Sequence, residues 1–198
     1  MRLKIVQVGE PALRTPARPL TRDEITTDEI KRLITDMRET MYDAPGVGLA
    51  APQVGMPLQL AVIEDREDFL TAIPPTELEE KERAPVPFHV IINPKIELVG
   101  DANVQFFEGC LSLSGFSALV PRSRQVRVTY WDEHAQEKSI LAFGWYARIL
   151  QHEIDHLHGT LYIDKMHSRT FSSFENLTRF WKSKPISEVI TDLKCDDN

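Results

Sequence analysis

Between residues 28 and 42, Ile30, Leu33, Ile34, Met37 and Met41 recur at three- and four-residue steps, with charged or hydroxyl side chains filling most positions between them. That spacing draws one apolar stripe down a helix, and Thr26 followed by Glu29 supplies a capping box at its start. Directly after it, Pro45-Gly46-Val47-Gly48 cannot continue a helix. Its glycines admit close approaches that a Cβ forbids, so this loop is expected to lie against a ligand. The segments 58–63, 89–92, 95–99 and 126–131 are short and rich in β-branched and aromatic residues, the pattern of strands. A second helix is predicted over 145–157, with Gly144 before it and Gly159 where a left-handed cap would sit. Residues 65–87 are charged and hold Pro74, Pro75, Pro85 and Pro87, which predicts a long surface loop. The helical pattern after Thr170 is weak, and Asp196, Asp197 and Asn198 are expected to fray. The chain reads as mixed α and β.

Composition narrows the function classes. A chain of 198 residues, 42% of them apolar, suffices for one domain with a real core, so residues 1–198 are expected to form a single catalytic domain. A net charge of -7 argues against a broad basic surface, and no direct nucleic-acid binding is expected. Cys110 and Cys195 are too few for a disulfide framework, which suits a reducing compartment. No stretch approaches the ~20 apolar residues that span a bilayer, and residues 1–10 hold no apolar export core. The expected location is the cytoplasm, with an organelle whose transit peptide has been removed as the alternative.

The chemistry concentrates in the second helix. His152-Glu153-Ile154-Asp155-His156 puts two imidazoles four residues apart on one helical face, within reach of one metal ion, and places Glu153 where it can take a proton from water. His158 lies off that face and is expected to be an exposed histidine; His89, His134 and His167 have no partner at ligand spacing. A catalytic site needs a third protein ligand. The histidine that one protease pattern places six residues past the second ligand is Tyr162 here, although Gly159 fits that pattern. Glu175, about twenty residues downstream, matches the position used by another group of metalloproteases. Cys110, within Glu108-Gly109-Cys110-Leu111-Ser112, is the other candidate, against the bland alternative of a small buried hydrophobe. Ile149 and Trp145, three and seven residues before His152, share its face and are expected to line an apolar cavity beside the metal. Glu108 is expected to pair with Arg122 and hold the cysteine segment in register.

Three segments in order, Gly46-Val47-Gly48-Leu49-Ala50-Ala51-Pro52-Gln53, then Glu108-Gly109-Cys110-Leu111-Ser112, then Gln151-His152-Glu153-Ile154-Asp155-His156-Leu157, resemble the three motifs of peptide deformylases. The resemblance covers about residues 6–171, leaves 172–198 as a C-terminal extension, and over 144–171 is most similar to the subgroup that includes organellar members. It implies an α+β fold, with antiparallel sheets packed around a central HExxH helix. It also implies hydrolysis of the formyl group from the N-terminal formylmethionine of new polypeptides, releasing formate. Cys110, His152 and His156 match the family's metal ligands, Fe(II) being typical and Zn, Ni or Co able to replace it. Glu153 matches its general base and acid, and Gln53 and the backbone N–H of Leu111 its oxyanion-binding groups. Gly48, Trp145 and Ile149 are then expected to contact substrate, with the cavity taking the methionine side chain. Leu113-Ser114-Gly115 departs from the Val-Pro common after Cys-Leu-Ser, and is expected to alter the loop flanking the bound peptide. The implied partners are formylmethionyl nascent peptides, met transiently near the ribosome by a monomer. Arg179, Lys182 and Lys184 are too few to argue a docking helix. The rival readings are a zinc endopeptidase using Glu175 and a non-catalytic module in which the metal only holds the fold.

Overall fold

The computed structural model describes residues 1–100 and 103–195. In chain order its principal elements are α1 (Arg22–Ile25), α2 (Asp28–Asp43), β1 (Gly48–Ala50), β2 (Leu60–Asp65), α3 (Glu67–Leu70), α4 (Pro75–Glu80), β3 (Val86–Leu98), β4 (Asn103–Gly109) and β5 (Phe116–Ser123). There follow β6 (Gln125–Trp131), β7 (Glu137–Phe143), α5 (Gly144–Leu157), β8 (Ser172–Ser173), α6 (Phe174–Asn176) and α7 (Ile186–Asp192). One five-stranded sheet has the order β1-β2-β3-β6-β7 and a three-stranded sheet the order β4-β5-β8, every pairing antiparallel. The fold is α+β.

The larger sheet is sandwiched between α5 and α2, and the alternation of β2 explains how. Side chains two apart share a face. Ala61 and Ile63 join Ala147, Leu150 and Ile154 of α5 in one core, while Leu60 and Val62 join Ile30, Ile34, Met37 and Met41 of α2 in another. A strand buried on both faces reads as a continuous apolar run, as Leu-Ala-Val-Ile does here. A third core places Leu13, Leu113, Val120 and Tyr162 between the small sheet and the turns after α5.

Several sequence expectations need correction. The cap of α2 is Thr27, whose hydroxyl accepts from Ile30 N at 3.4 Å. Thr26 is instead occupied with closing α1, donating to Asp23 O, and the capping box belongs to Thr21 and Glu24. Residues 89–92 and 95–99 are not two strands: β3 runs through with a register shift between Ile92 and Lys95. At that shift Asn93 takes φ +50° and holds Leu20 N and O through its side-chain amide, so the Asn-Pro pair makes a bulge inside one continuous strand. Strands β1, β4, β5, β7 and β8 have no counterpart among the predicted ones.

Residues 65–87 are folded rather than looped. They hold α3, α4 and the start of β3, and Arg83 clamps the buried Asp65 carboxylate with two bonds of 2.7 and 2.9 Å. Lys81 O accepts from Trp145 N at 2.9 Å, which ties this excursion to the first turn of α5. Gly144 makes the approach possible: its φ is +55°, and a Cβ there would lie 2.7 Å from Lys81 O. After Thr170 the helical stretch is broken into α6, a π-turn at Leu177–Trp181, and α7. The expected fraying at 196–198 lies outside the described residues. Among the described residues no helix is long and apolar enough to cross a membrane.

Candidate metal centre

Helix α5 presents His152 and His156 one turn apart, and Cys110 follows directly on the last residue of β4. The ligand atoms of Cys110, His152 and His156 all lie within 4.8 Å of one another. Cys110 Sγ is 3.3 Å from His156 Nε2, and the two imidazoles meet nearly edge to face, 80° between planes. A thiol and two imidazoles converging at this spacing fit a first-row transition ion and not magnesium or calcium, which prefer oxygen. Among the described residues this is the one His/Cys/Asp/Glu group with such geometry. Glu175 is exposed on α6 and does not belong to it.

Glu108 fixes the direction of His152. Its carboxylate, 5% exposed, accepts from His152 Nδ1 at 3.0 Å, which leaves Nε2 for the site. The same carboxylate accepts twice from Arg122, at 2.9 and 3.0 Å, and once from Arg148 Nη1, at 2.6 Å. Burial alone would raise the Glu108 pKa, but the bonds from His152 and Arg122 hold it well below the usual carboxylate range. The two imidazoles are driven apart. Burial lowers His152, yet its contacts with Cys110 and Glu108 outweigh that and raise it well above 6.5, while burial and then the His152 charge push His156 well below 6.5. Arg122 continues the network to Asp155, which also accepts from Lys165 Nζ at 2.6 Å. The predicted Glu108–Arg122 pair is present. Arg148, Asp155 and the bond to His152 were missed, although Arg148 and Asp155 stand out as charges on an otherwise buried helix.

Glu153 is 4% exposed and its Oε2 has no hydrogen-bond partner among the described residues. Burial pushes its carboxyl up to about 7. Gly48 lies against it: a Cβ at that position would sit 2.2 Å from Glu153 Oε1, so only glycine leaves the carboxylate its place. Gln53, 2% exposed, is oriented by its own turn, because Oε1 accepts from Ala50 N at 2.8 Å. Its Nε2 is thereby aimed across the site, 3.5 Å from Cys110 Sγ and 3.3 Å from Ser112 Oγ. Ser112, also missed from sequence, is fully buried and sends its backbone N–H to Cys110 Sγ.

A cavity of about 620 Å³ opens beside these groups, and Gly48, Gln53, Cys110, Leu111, Trp145 and Ile149 are in its wall. Ile149 also packs into the core of α5, while Trp145 is half-buried with Lys81 and Arg83 over its ring at 4.9 and 5.2 Å. His158 is exposed, and His89, His134 and His167 stand apart from the cluster.

The sequence profile of the family described as polypeptide deformylase matches residues 2–172. The chain is 47% identical over 173 residues to the chloroplastic peptide deformylase 1A of Solanum lycopersicum, covering 87% of this chain but 62% of that protein's length. It is 44% identical over 186 residues to peptide deformylase 3 of Streptomyces avermitilis, covering 94% of this chain and 80% of that one. Among solved structures, a class I type b peptide deformylase from Acinetobacter baumannii bound to Met-Ala-Ser superposes with a TM-score of 0.74 at 28% identity, over 84% of this chain and 99% of that one. The profile spans most of the chain, and relatives more than 40% identical cover most of it as well: the chain belongs to the polypeptide deformylase family.

Proposed function

We propose that this chain is a peptide deformylase, a metal-dependent hydrolase that removes the formyl group from the N-terminal formylmethionine of newly made polypeptides and releases formate. The observation that carries the reading is the convergence of Cys110, His152 and His156 with the Glu153 carboxylate and the Gln53 amide at one cavity. Cys110, His152 and His156 would hold the ion, with Fe(II) proposed as the native metal and Zn, Ni or Co as replacements. A divalent ion there supplies Lewis acidity, which makes water a competent nucleophile near neutral pH.

The chain's own groups do the rest. Glu153 takes the proton of the attacking water and returns it to the amine nitrogen as the C–N bond breaks. Its buried position suits that work, since a carboxyl raised toward neutrality can both accept and release a proton. Gln53 Nε2 and the backbone N–H of Leu111 donate to the formyl oxygen as charge collects on it. Glu108 keeps the His152 ring turned toward the ion. Trp145 and Ile149 form the wall against which the methionine side chain packs, and Gly48 lets substrate and Glu153 come close together.

The proposed organisation is one domain over residues 1–198, with a core of about 6–171 and an extension over 172–198. The proposed partners are formylmethionyl nascent peptides near the ribosome, met by a monomer with no direct nucleic-acid contact. The proposed compartment is the cytoplasm with an organelle as alternative, since relatives include both a chloroplastic and a bacterial protein. Elemental analysis of anaerobically purified protein, coupled to formate release from a formylmethionyl peptide, tests the reading. Cys110→Ala should abolish metal retention while Glu175→Ala spares it; the reverse would make the chain an endopeptidase of the Glu175 type. Glu153→Gln should keep the metal and lose turnover, which a purely structural metal site would not.

A further inference from the structure

A second cavity, of about 730 Å³, lies between α4 and the chain that follows β8. It adjoins the metal cleft directly, because Phe107, Gly109 and Phe174 stand in the walls of both. Phe174 marks the border. Its ring comes within 3.1 Å of where a Cβ on Gly109 would be, one residue before Cys110, and its N–H donates to Gly115 O at 2.9 Å. The short β8 ladder to β5 holds the same segment down.

The walls are set by contacts within the protein. On one side Lys81, at the end of α4, is bonded through its carbonyl to Trp145 N. On the other, Trp181 sits under Lys184, whose Nζ is 5.4 Å from the ring centre and pairs with Glu188 at 2.9 Å and with Asp192. The lining combines aromatic faces at Phe107 and Trp181 with charges of both signs at Glu80 and Lys182. Such a surface accepts apolar side chains and backbone without selecting one sign of charge.

The occupant follows from the substrate's direction. A formylated chain reacts at its first residue, so every later residue must leave the metal cleft through its open side. We infer that the second cavity is a subsite for the downstream residues of the formylated peptide, beyond those beside the metal, and that it makes the enzyme favour longer chains with little regard to their sequence. The inference rests on the deformylase reading. An extended chain advances ~3.3–3.6 Å per residue, so two adjoining cavities would take several residues. Covering one apolar side chain against Trp181 raises kcat/KM about tenfold.

The test compares kcat/KM for formyl-Met-Ala-Ser with that for the same peptide lengthened by about five residues. Wild type should prefer the longer peptide about tenfold. Trp181→Ala removes the aromatic wall, and Thr178→Trp, at an exposed position, fills the cavity without removing packing. Both variants should lose most of the preference and turn over formyl-Met-Ala-Ser as wild type does. A wild-type enzyme indifferent to length, or a preference that survives both substitutions, would overturn the subsite while leaving the deformylase reading intact. Absence of formate from every peptide would instead remove that reading, and this inference with it.

Discussion

Replacing Glu108 with Gln keeps the shape of the side chain and removes its charge. The carboxylate accepts four bonds at once, two from Arg122 and one each from Arg148 and His152. An amide retains one acceptor oxygen and turns an NH2 toward donors. Arg122 still has Asp155, but the buried Arg148 guanidinium keeps only the carbonyls of Val120 and Val104 as hydrogen-bond acceptors among the described residues, and the faces of Phe106 and Trp145 do not replace a carboxylate. Breaking a buried ion pair on one side costs about 3–5 kcal/mol, because the charge left behind stays out of water. For a domain of this size that is a fall in Tm of roughly 6–20 °C. Loss of the bond that orients His152 should also weaken metal binding by about 10–100-fold. Thermal unfolding followed by circular dichroism reads the first effect, and competition with a chelator of known affinity the second. Adding Arg148→Met should recover part of the stability, since it removes the orphaned charge, but none of the metal affinity. A single variant within about 1 kcal/mol of wild type and unchanged in metal affinity would refute the assignment of Glu108 as the group that both neutralises the arginines and aims the histidine.

Other consequences can be measured separately. Gly48→Ala places a methyl where Glu153 Oε1 now lies, so turnover should fall by about 10²-fold with metal content retained; a variant of normal kcat would show that Glu153 does not work from its present position. Burial lowers the His89 pKa below 6.5, outweighing the Pro87 carbonyl and Glu133, and the neutral ring donates from Nδ1 to Pro87 O while accepting from the Tyr146 hydroxyl. The folded protein therefore binds its proton later than the unfolded chain, so this contribution is complete above pH 6.5 and is lost as pH falls below it. Urea midpoints measured across that range should drop less steeply for His89→Gln, and equal slopes would contradict the assignment. With Fe(II) at a thiolate site, activity should decay in air and survive anaerobically, and loading with nickel or zinc should slow the decay; equal lifetimes for all metal forms would count against iron as the native ion.

What one element can announce by itself was legible in the sequence. The stripe of α2 and the paired histidines of α5 repeat at helical spacing, a local signal that needs no partner. The second motif was readable because Cys110 stands in a short run of distinctive composition, and its resemblance to a known family named a role that spacing could not supply. The cap of α2 slipped by one residue, since Thr26 and Thr27 have the same chemistry and only the end of α1 decides which hydroxyl is spent where. Residues 65–87 looked like a loop because polar contacts that composition does not show hold them in place: Asp65 is paired within the segment, and Lys81 is anchored on Trp145. Strands β4 and β5 went unseen for a similar reason, their alternation being interrupted by Pro121 and by the buried charges of Glu108 and Arg122, which pair with each other and with groups on α5.

The composition of the site is a property of the sequence, and its assembly a property of the fold. Cys110 and His156 are separated by 46 positions, and Glu108 and Arg148 by 40, distances over which no periodicity carries information. They meet because the small sheet packs beneath α5, and that packing is decided by apolar burial summed over the whole chain. Local patterns can specify which side chains are available; only the cooperative closure of the core determines which of them share a few ångströms of dry space, and there charge, proton affinity and metal geometry are set.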